Sequence, residues 1–262
     1  MAGTIRAGIG GWDYDPWRET FYPAGLPKAR QLEYASQRLT AIEINATYYK
    51  LQKPELFERW GKAVPEQFRF ALKASRYCTT KKVLAEGGEN VLKFCGQGIV
   101  ELGEKLGPIL WQFMATKRFD PDDFGAFLKL LPERQDGVRL AHAVEVRHES
   151  FRDPAFVAMA REAGVAIVFG ESDEFPCVAD VSGDIVYARL MRARSEIGTG
   201  YPEGEIDRWA EVAKGWARGE SPAGLPYVAE PAPVRARDAY VFFISGAKER
   251  NPAAAQALIG ML

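Results

Sequence analysis

Short hydrophobic runs with the alternation of β-strands recur along the chain, and longer segments with helical periodicity lie between them. Eight strands are predicted near residues 5–10, 41–45, 68–73, 108–113, 139–147, 165–169, 184–190 and 239–245. Seven helices are predicted near residues 28–38, 54–62, 89–103, 121–131, 153–163, 203–218 and 252–261. Strands that alternate with helices favour a parallel sheet whose faces are covered by the helices.

The number of strands and the chain length together predict one barrel. The 262 residues are close to the roughly 250 of a (β/α)8 barrel, although length alone would also allow two smaller domains. With 47% hydrophobic and 26% charged residues, the chain can bury a sizeable core. We therefore predict an α/β protein with a single TIM-type (β/α)8 barrel domain over residues 1–262.

Two segments depart from the regular barrel pattern. The sixth predicted strand is followed by an irregular segment, residues 171–182, where a long helix is expected. Residues 219–226, extended by residues 231–233, are rich in glycine and proline and predict a loop inserted before the last strand.

Several predicted strands end on a charged or amide side chain, which is costly for a buried strand because the polar group loses its hydration. These residues are Glu43, Asn45, Lys73, Gln112, Glu145, Arg147 and Arg189. Side chains alternate along a strand, so Glu43 and Asn45 share one side, and so do Glu145 and Arg147. In a barrel, we expect these pairs to point toward the axis at the C-terminal ends of the strands, where barrel active sites lie.

The two carboxylates Glu43 and Glu145 are the first candidates for catalysis. Placed on different strands beside cations, they are suited to act as a proton donor and a proton acceptor. The structural alternative is that Glu145–Arg147 and Glu43–Lys73 are ion pairs that fill the barrel mouth; for the whole set of polar residues we favour function.

His148 follows the fifth strand and is a third catalytic candidate, as an acid, a base or a hydrogen-bond donor. The alternative for His148 is a role at the start of the next helix.

The loops after the last two strands are candidates for binding an anion. Arg192 and Tyr201 follow the seventh strand, in a segment rich in arginine and glycine, and Ser245 follows the eighth. Barrel enzymes frequently bind phosphate between these two loops. The alternative is that the arginines are simply solvated.

The first loop is aromatic and carries Trp12, Tyr14, Trp17, Phe21 and Tyr22. Such rings stack on sugars or nucleobases, but a cluster of this kind more often packs a long loop over the barrel end. We favour packing for the cluster and keep Trp12 as a candidate substrate contact.

Composition narrows the possible partners and cofactors. The net charge of −1 gives no overall attraction to nucleic acid or to a membrane surface, so anion binding must be local. With only two histidines, a His-rich metal site is disfavoured, whereas a divalent metal held by Glu43, Glu145 and either Glu171 or Asp173 stays open. No nucleotide-cofactor motif is present, since the pair at residues 10–11 lacks the dinucleotide glycine spacing.

Three widely spaced cysteines, the absence of a signal-peptide pattern and the absence of a long apolar run predict a cytoplasmic location without membrane insertion.

At these residues the chain resembles the YecE-like family, catalogued as a domain of unknown function (number 72). The stretches that carry the resemblance are residues 8–12, 21–23, 41–49, 68–74, 106–108 with Gln112, and 145–148, with Arg189 and Tyr201 fitting the later part. The resemblance covers nearly the whole chain and implies a (β/α) barrel, sometimes described as distorted. It supplies no reaction.

The chain also departs from the pattern of this family at four places around one rim. Thr79 and Thr80 replace a histidine after the third strand, and residues 114–115 replace a proline pair. Met191 and Arg192 stand where a His-Gly pair is usual, and residues 244–246 stand where asparagines are usual. These changes indicate a divergent subgroup with an altered substrate or without turnover.

Three functional hypotheses follow. The first is an enzyme, a hydrolase or an isomerase, that performs acid–base chemistry on a phosphorylated or other anionic small molecule. The second is a non-catalytic protein that binds nucleic acid or nucleotides through its arginines and aromatic rings. The third is a divalent-metal-dependent hydrolase or isomerase. The oligomeric state is not predicted.

Overall fold

Eight parallel strands close into a barrel in the computed structural model, which describes residues 1–262. The strands are β1 (Ile5–Gly10), β2 (Ala41–Ile44), β3 (Arg69–Lys73), β4 (Leu106–Gln112), β5 (His142–Glu145), β6 (Ala166–Glu171), β7 (Ile185–Leu190) and β8 (Asp238–Phe243). Each strand pairs with its neighbours in chain order, and β8 pairs with β1, so the barrel sheet has no free edge. The predicted TIM-type barrel is confirmed.

Helices connect most of the strands and cover the outside of the barrel. The α-helices are α1 (Trp17–Thr20), α2 (Gln31–Ser36), α3 (Ala46–Tyr49), α4 (Pro54–Lys62), α5 (Arg76–Thr79), α6 (Gly88–Cys95), α7 (Pro121–Leu130), α8 (Pro154–Glu162), α9 (Glu205–Arg218) and α10 (Asn251–Ile259). Single 3-10 turns or short 3-10 helices lie at Lys28–Arg30, Leu84–Gly87, Ile99–Lys105, Glu149–Phe151 and Lys248–Arg250.

Two predicted elements are divided in the structure. The helix predicted over residues 89–103 is α6 followed by a separate 3-10 helix, because Gly98 between them has a φ of 100°, which side chains with a Cβ rarely adopt. The strand predicted over residues 139–147 contains β5 and the end of a small antiparallel hairpin, Arg134–Gln135 with Val138–Arg139. Arg147 therefore lies in the loop after β5.

The barrel interior has an apolar lower layer and a polar upper end. The lower layer is formed by Ala41, Ala71, Leu110, Ala143, Ala166, Val168, Tyr187, Tyr240 and Phe242, and Ile244 continues it to the upper end. Inward positions recur every second residue along a strand. The residues two positions after Ala41, Ala71 and Ala143 therefore also point inward, closer to the C-terminal end of the barrel. These residues are Glu43, Lys73 and Glu145. The predicted inward orientation of the polar strand ends follows from this register.

A larger apolar layer of 61 buried residues lies mainly between the strands and the helices. It includes Trp17, Phe21 and Tyr22 of the first loop, and Trp17 is fully buried. The aromatic loop thus packs over the barrel end, as we favoured.

The irregular segment after β6, where a sixth helix was expected, is joined by hydrogen bonds to the inserted loop before β8. The backbone of Ala179 donates a hydrogen bond to the carbonyl of Pro226, at 2.9 Å. Asp180, only 2% exposed, accepts hydrogen bonds from the backbone N–H groups of Val228 and Ala229 at 2.8 and 3.0 Å. One buried carboxylate therefore joins two segments that lie far apart in the sequence.

We predict that Asp180→Ala lowers the free energy of unfolding by about 2–3 kcal/mol, because two partly buried N–H groups lose their buried acceptor. Urea denaturation measures the change. Asp184→Ala is the matched control: its carboxylate bonds Arg139 and Arg235 at the surface, so a loss below about 1 kcal/mol is expected. Equal losses in the two variants would contradict this role of Asp180.

Candidate functional site

A cavity of about 690 Å³ opens at the C-terminal ends of the barrel strands. Seven residues selected from the sequence line it: Trp12, Asn45, Lys73, Gln112, Arg147, Arg189 and Ser245. They come from seven connections or strand ends around the ring, as expected for side chains that converge on a barrel axis.

Arg189 forms the floor of this cavity and is held by the two predicted carboxylates. Its Nε and Nη2 atoms donate hydrogen bonds to Glu43, both at 3.1 Å, and Nη1 donates to Glu145. All three side chains are at most 3% exposed. Glu43 also accepts a hydrogen bond of 2.7 Å from the Tyr187 hydroxyl. We call Glu43, Glu145, Arg147 and Arg189 the ion cluster.

Arg147 and Gln112 complete the shell around Glu145. The Nε atom of Arg147 and the Nε2 atom of Gln112 both donate to Glu145 Oε1, at 2.6 and 2.8 Å. The guanidinium of Arg147 also lies 4.3 Å from the centre of the Phe175 ring, a cation–π distance. The Glu145–Arg147 ion pair that was the structural alternative is present, whereas no ion pair joins Glu43 to Lys73.

The electrostatic environment fixes Glu145 in its charged form. Burial by itself would raise the pKa of Glu145, but Arg189 and Arg147 lower it to about 2. The same carboxylates raise the pKa of Arg189 above its ordinary value, against the effect of burial. Glu145 is therefore ionised at neutral pH and is a poor proton donor, so its surroundings suit a group that holds Arg189 in place.

Lys73 is a cavity amine that loses its proton more easily than an exposed lysine does. Burial, and then the charge of Arg189, lower the pKa of Lys73 to about 8 although Glu43 and Glu145 oppose the change. Its Nζ atom lies 4.2 Å from the centre of the Tyr48 ring and donates to no acceptor in the structure. Its pKa therefore lies closer to neutral pH than that of an exposed lysine.

The cavity also has residues that the sequence did not select. Lys248 lies beside the first loop, where its Nζ atom is 4.4 Å from the centre of the Tyr14 ring, and burial lowers its pKa. Asp13 is bonded to Lys28 at 2.9 Å. Trp60 and Tyr49 add an aromatic wall. Lys248 lies three residues after Ser245, in the loop after β8 that was predicted to bind an anion. Trp60 lies in α4, and no sequence pattern indicated that it would reach the cavity.

Five of the predicted residues do not line this cavity: Glu43 and Glu145 are buried against Arg189, and His148, Arg192 and Tyr201 lie elsewhere. His148 caps the 3-10 helix Glu149–Phe151, with its Nδ1 atom accepting a hydrogen bond from the Ser150 backbone, and it lines a neighbouring depression. This is the helix-start role that was its alternative. Arg192 bonds Asp173 at 2.6 Å and lines a second depression, which Ser245 and Arg147 also border.

Tyr201 is fully buried, and its hydroxyl contacts Glu171 at 3.3 Å and accepts a hydrogen bond from the backbone N–H of Arg192 at 3.2 Å. Tyr201 therefore positions the loop after β7 instead of lining the cavity.

Of the four departures from the family pattern, the one at residues 244–246 reaches the cavity through Ile244 and Ser245. Ser245 has a φ of 61° and Gly246 a φ of 54°. Left-handed backbone at a serine is uncommon and strained. The strain lies at the rim of the cavity, where it turns the chain between β8 and the 3-10 helix that precedes α10.

The carboxylates of the hypothetical metal site do not gather around a common point. No group of three His, Cys, Asp or Glu side chains is close enough to hold a metal ion. Glu43 and Glu145 are bonded to Arg189, Glu171 to Tyr201, and Asp173 to Arg192.

None of the helices combines the length and the apolar character that crossing a bilayer requires.

Comparisons with known proteins agree on the family and the fold. The model of the family described as "Protein of unknown function DUF72" matches residues 6–262. The DUF72 family protein TM1631 of Thermotoga maritima MSB8 has 21% identity and a TM-score of 0.74 over 98% of both chains. EF0366 of Enterococcus faecalis V583 has 21% identity and a TM-score of 0.70 over 99% of this chain and 95% of the other.

Among curated relatives, the UPF0759 protein YecE of Escherichia coli K12 is 28% identical over 150 residues, which are 56% of this chain. The match spans about half, 50%, of the length of that relative.

We predict that Arg189→Met lowers the free energy of unfolding at pH 8 by about 3–5 kcal/mol, because two buried carboxylates lose their cation. In the variant these carboxylates should hold protons more tightly when folded than when unfolded, so the deficit should shrink as the pH falls toward 5. Urea denaturation at pH 5 and pH 8 measures both effects.

Arg152→Met, which removes a surface arginine bonded to Glu149, is the control for Arg189→Met. A small deficit for Arg189→Met that does not depend on pH would show that the cluster does not need this cation.

We predict that Glu171→Gln stabilises the protein above pH 7. Burial, and then the charge of Glu205, raise the pKa of Glu171 from 4.5 to about 7. Since the folded state binds this proton more tightly, the wild-type protein should lose stability as the pH rises from about 4.5 to about 7. The glutamine should recover about 1–3 kcal/mol at pH 8 and almost nothing at pH 4.5.

Urea denaturation across this pH range tests the Glu171 prediction, with the exposed Glu174→Gln as the control. A gain of equal size at pH 4.5 and pH 8 would refute it.

Proposed function

The chain belongs to the DUF72 family, and from the cavity of its barrel we propose that it is an enzyme that performs acid–base chemistry on a small anionic substrate. The observation that carries the proposal is Lys73: a half-buried amine with a pKa of about 8 and no ion-pair partner, which shares the cavity with Arg147 and Arg189. A group that gains and loses a proton near neutral pH is what general acid–base catalysis requires.

The charge of the cavity favours an anion. Four cations line it, namely Lys73, Arg147, Arg189 and Lys248. The two buried carboxylates of the ion cluster balance two of these charges, and Asp13 is balanced by Lys28. An excess of two positive charges therefore faces a ligand when Lys73 is protonated, and the partly buried setting strengthens the attraction.

The binding role falls mainly on Arg147. One of its nitrogen atoms bonds Glu145, and the other two have no partner, while its side chain is 23% exposed. A planar guanidinium with free N–H groups suits a carboxylate or phosphate oxygen pair. Glu145 fixes its orientation, Arg189 adds charge beneath, and the amide groups of Asn45 and Gln112 are placed to orient uncharged parts of the substrate.

In this proposal the proton-transfer role that the sequence assigned to Glu43 or Glu145 belongs to Lys73. The carboxylates are engaged by arginine and tyrosine hydrogen bonds, so their contribution is to position Arg189 and Arg147. The neutral amine of Lys73 takes a proton from the substrate next to its anionic group, and the resulting ammonium returns it at a neighbouring atom. Isomerisation is the simplest reaction with this sequence of steps.

We expect the kcat/KM of the wild-type enzyme to rise with pH and to level off above about pH 8, because the base must be neutral in the free enzyme. Lys73→Met and Lys73→Arg should both lower kcat by about 10²–10⁴, since arginine keeps the charge but does not release the proton. Arg147→Met should mainly raise KM. A panel of sugar phosphates, 2-oxo acids and other small anionic carbonyl compounds supplies the assay.

Lys62→Met is the control, because Lys62 lies on the surface of α4 and bonds Glu58 there. Retention of turnover within threefold by both Lys73 variants would refute the assigned role. Salt-dependent binding of oligonucleotides by wild-type protein and by Lys73→Met alike, with no compound turned over, would favour the nucleic-acid-binding hypothesis.

A further inference from the structure

We infer that Lys73 forms an imine with the carbonyl carbon of a 2-oxo acid whose carboxylate is bound by Arg147 above Arg189. The inference rests on the proposed function and deepens it, because it names the substrate class and the bond that the amine makes. It is carried by the positions of Lys73, Arg147 and Arg189, which line one cavity at the ends of strands in a closed ring.

Lys73 and the two arginines lie on different sides of the barrel mouth. Lys73 ends β3 and Arg189 lies in β7, and these strands are four places apart in a closed ring of eight, so they face each other across the axis. Arg147 follows β5, which lies between them on one side of the ring. All three side chains line the same cavity, so a small molecule bound by the arginines shares that cavity with the amine of Lys73.

The amine of Lys73 is available to act as a nucleophile. A lysine bonded to a carboxylate keeps its proton and its lone pair is not free, but the Nζ atom of Lys73 has no such partner, and one side of it is covered by the Tyr48 ring. Partial burial together with nearby positive charge is a known way to make a lysine nucleophilic. The second lysine of the cavity, Lys248, lies instead against Tyr14 in the first loop.

The geometry of Arg147 suits a carboxylate. Guanidinium groups bind carboxylates through paired, coplanar hydrogen bonds, and the free nitrogen atoms of Arg147 provide such a pair. In a 2-oxo acid the carbonyl carbon is directly bonded to the carboxylate carbon. Holding the carboxylate at Arg147 consequently fixes the position of the carbon that must be attacked, which is the proximity effect that enzymes use to accelerate addition.

The reaction is balanced without a further reagent. The lone pair of the neutral amine forms the carbon–nitrogen bond, and the carbonyl π electrons move to oxygen, which takes up the proton that the nitrogen releases. The carbinolamine then loses its hydroxyl group and the remaining nitrogen proton as one water molecule, leaving a carbon–nitrogen double bond. The open cavity provides the exit for this water, and the imine, once protonated, draws electrons from the neighbouring carbon.

The test is reductive trapping with pyruvate as the probe. Wild-type protein is incubated with pyruvate and sodium cyanoborohydride, and we expect one adduct of about 72 Da, the mass expected for a reduced lysine imine, located by peptide mapping at Lys73. Acetone, which has the carbonyl but not the carboxylate, should label Lys73 at least tenfold more slowly. Lys62→Met, which removes a surface lysine of α4, should keep the Lys73 adduct, and Lys73→Met should lose it.

Arg147→Met keeps the amine and should reduce labelling by pyruvate toward the acetone rate, which tests the geometry without removing Lys73. Labelling spread over surface lysines, or a pyruvate rate no faster than that of acetone, would overturn the inference. The proposed function is judged separately: if Lys73 is not labelled but Lys73→Met and Lys73→Arg still abolish turnover, the amine acts as a base only.

Discussion

The arrangement of the barrel mouth depends on one interaction, the burial of Arg189 between Glu43 and Glu145. A single buried charge would be too costly to retain, and so would two neighbouring carboxylates. The arginine and the two carboxylates neutralise each other. Tyr187 from the layer below donates a further hydrogen bond to Glu43, and Gln112 from β4 donates one to Glu145. Because the three ions come from β2, β5 and β7, they also connect distant parts of the ring. The cavity floor is therefore held by hydrogen bonds from several strands, and its charges are fixed in position.

The same interaction separates the roles of the residues at the strand ends. The carboxylates fix arginine positions, and the arginines in turn influence the amine of Lys73, so a change at one end of the cluster alters acidity at another. Charged groups of both signs in a partly buried space produce this coupling, since each contributes to the potential at its neighbours. Acid–base behaviour in this cavity is thus a property of the ion cluster as a whole and not of one side chain.

The sequence predicted the barrel well because the two signals that define it are local. Hydrophobic residues alternate within the short strands and recur with helical spacing in the segments between the strands, and both patterns reflect which side chains are buried. The inward position of Glu43 and Glu145 follows from the same alternation. Which partner each ion chooses depends on distances across the ring, which local patterns do not contain. Glu43 was therefore assigned to Lys73 as one alternative, whereas the structure pairs it with Arg189. Lys248 and Trp60 reach the cavity from loop and helix positions whose direction depends on tertiary packing.

The pairing of β1 with β8 has a consequence for how the chain acquires its structure. Ile5 meets Ala239 in the sheet, so the ring stays open until β8 has been synthesised. Until then β1 presents unpaired backbone groups to the surroundings, and contacts of such long sequence separation form slowly. Nascent chains of this protein should therefore depend on protection of that edge, and a truncation that removes β8 would leave a sheet able to recruit strands from other molecules.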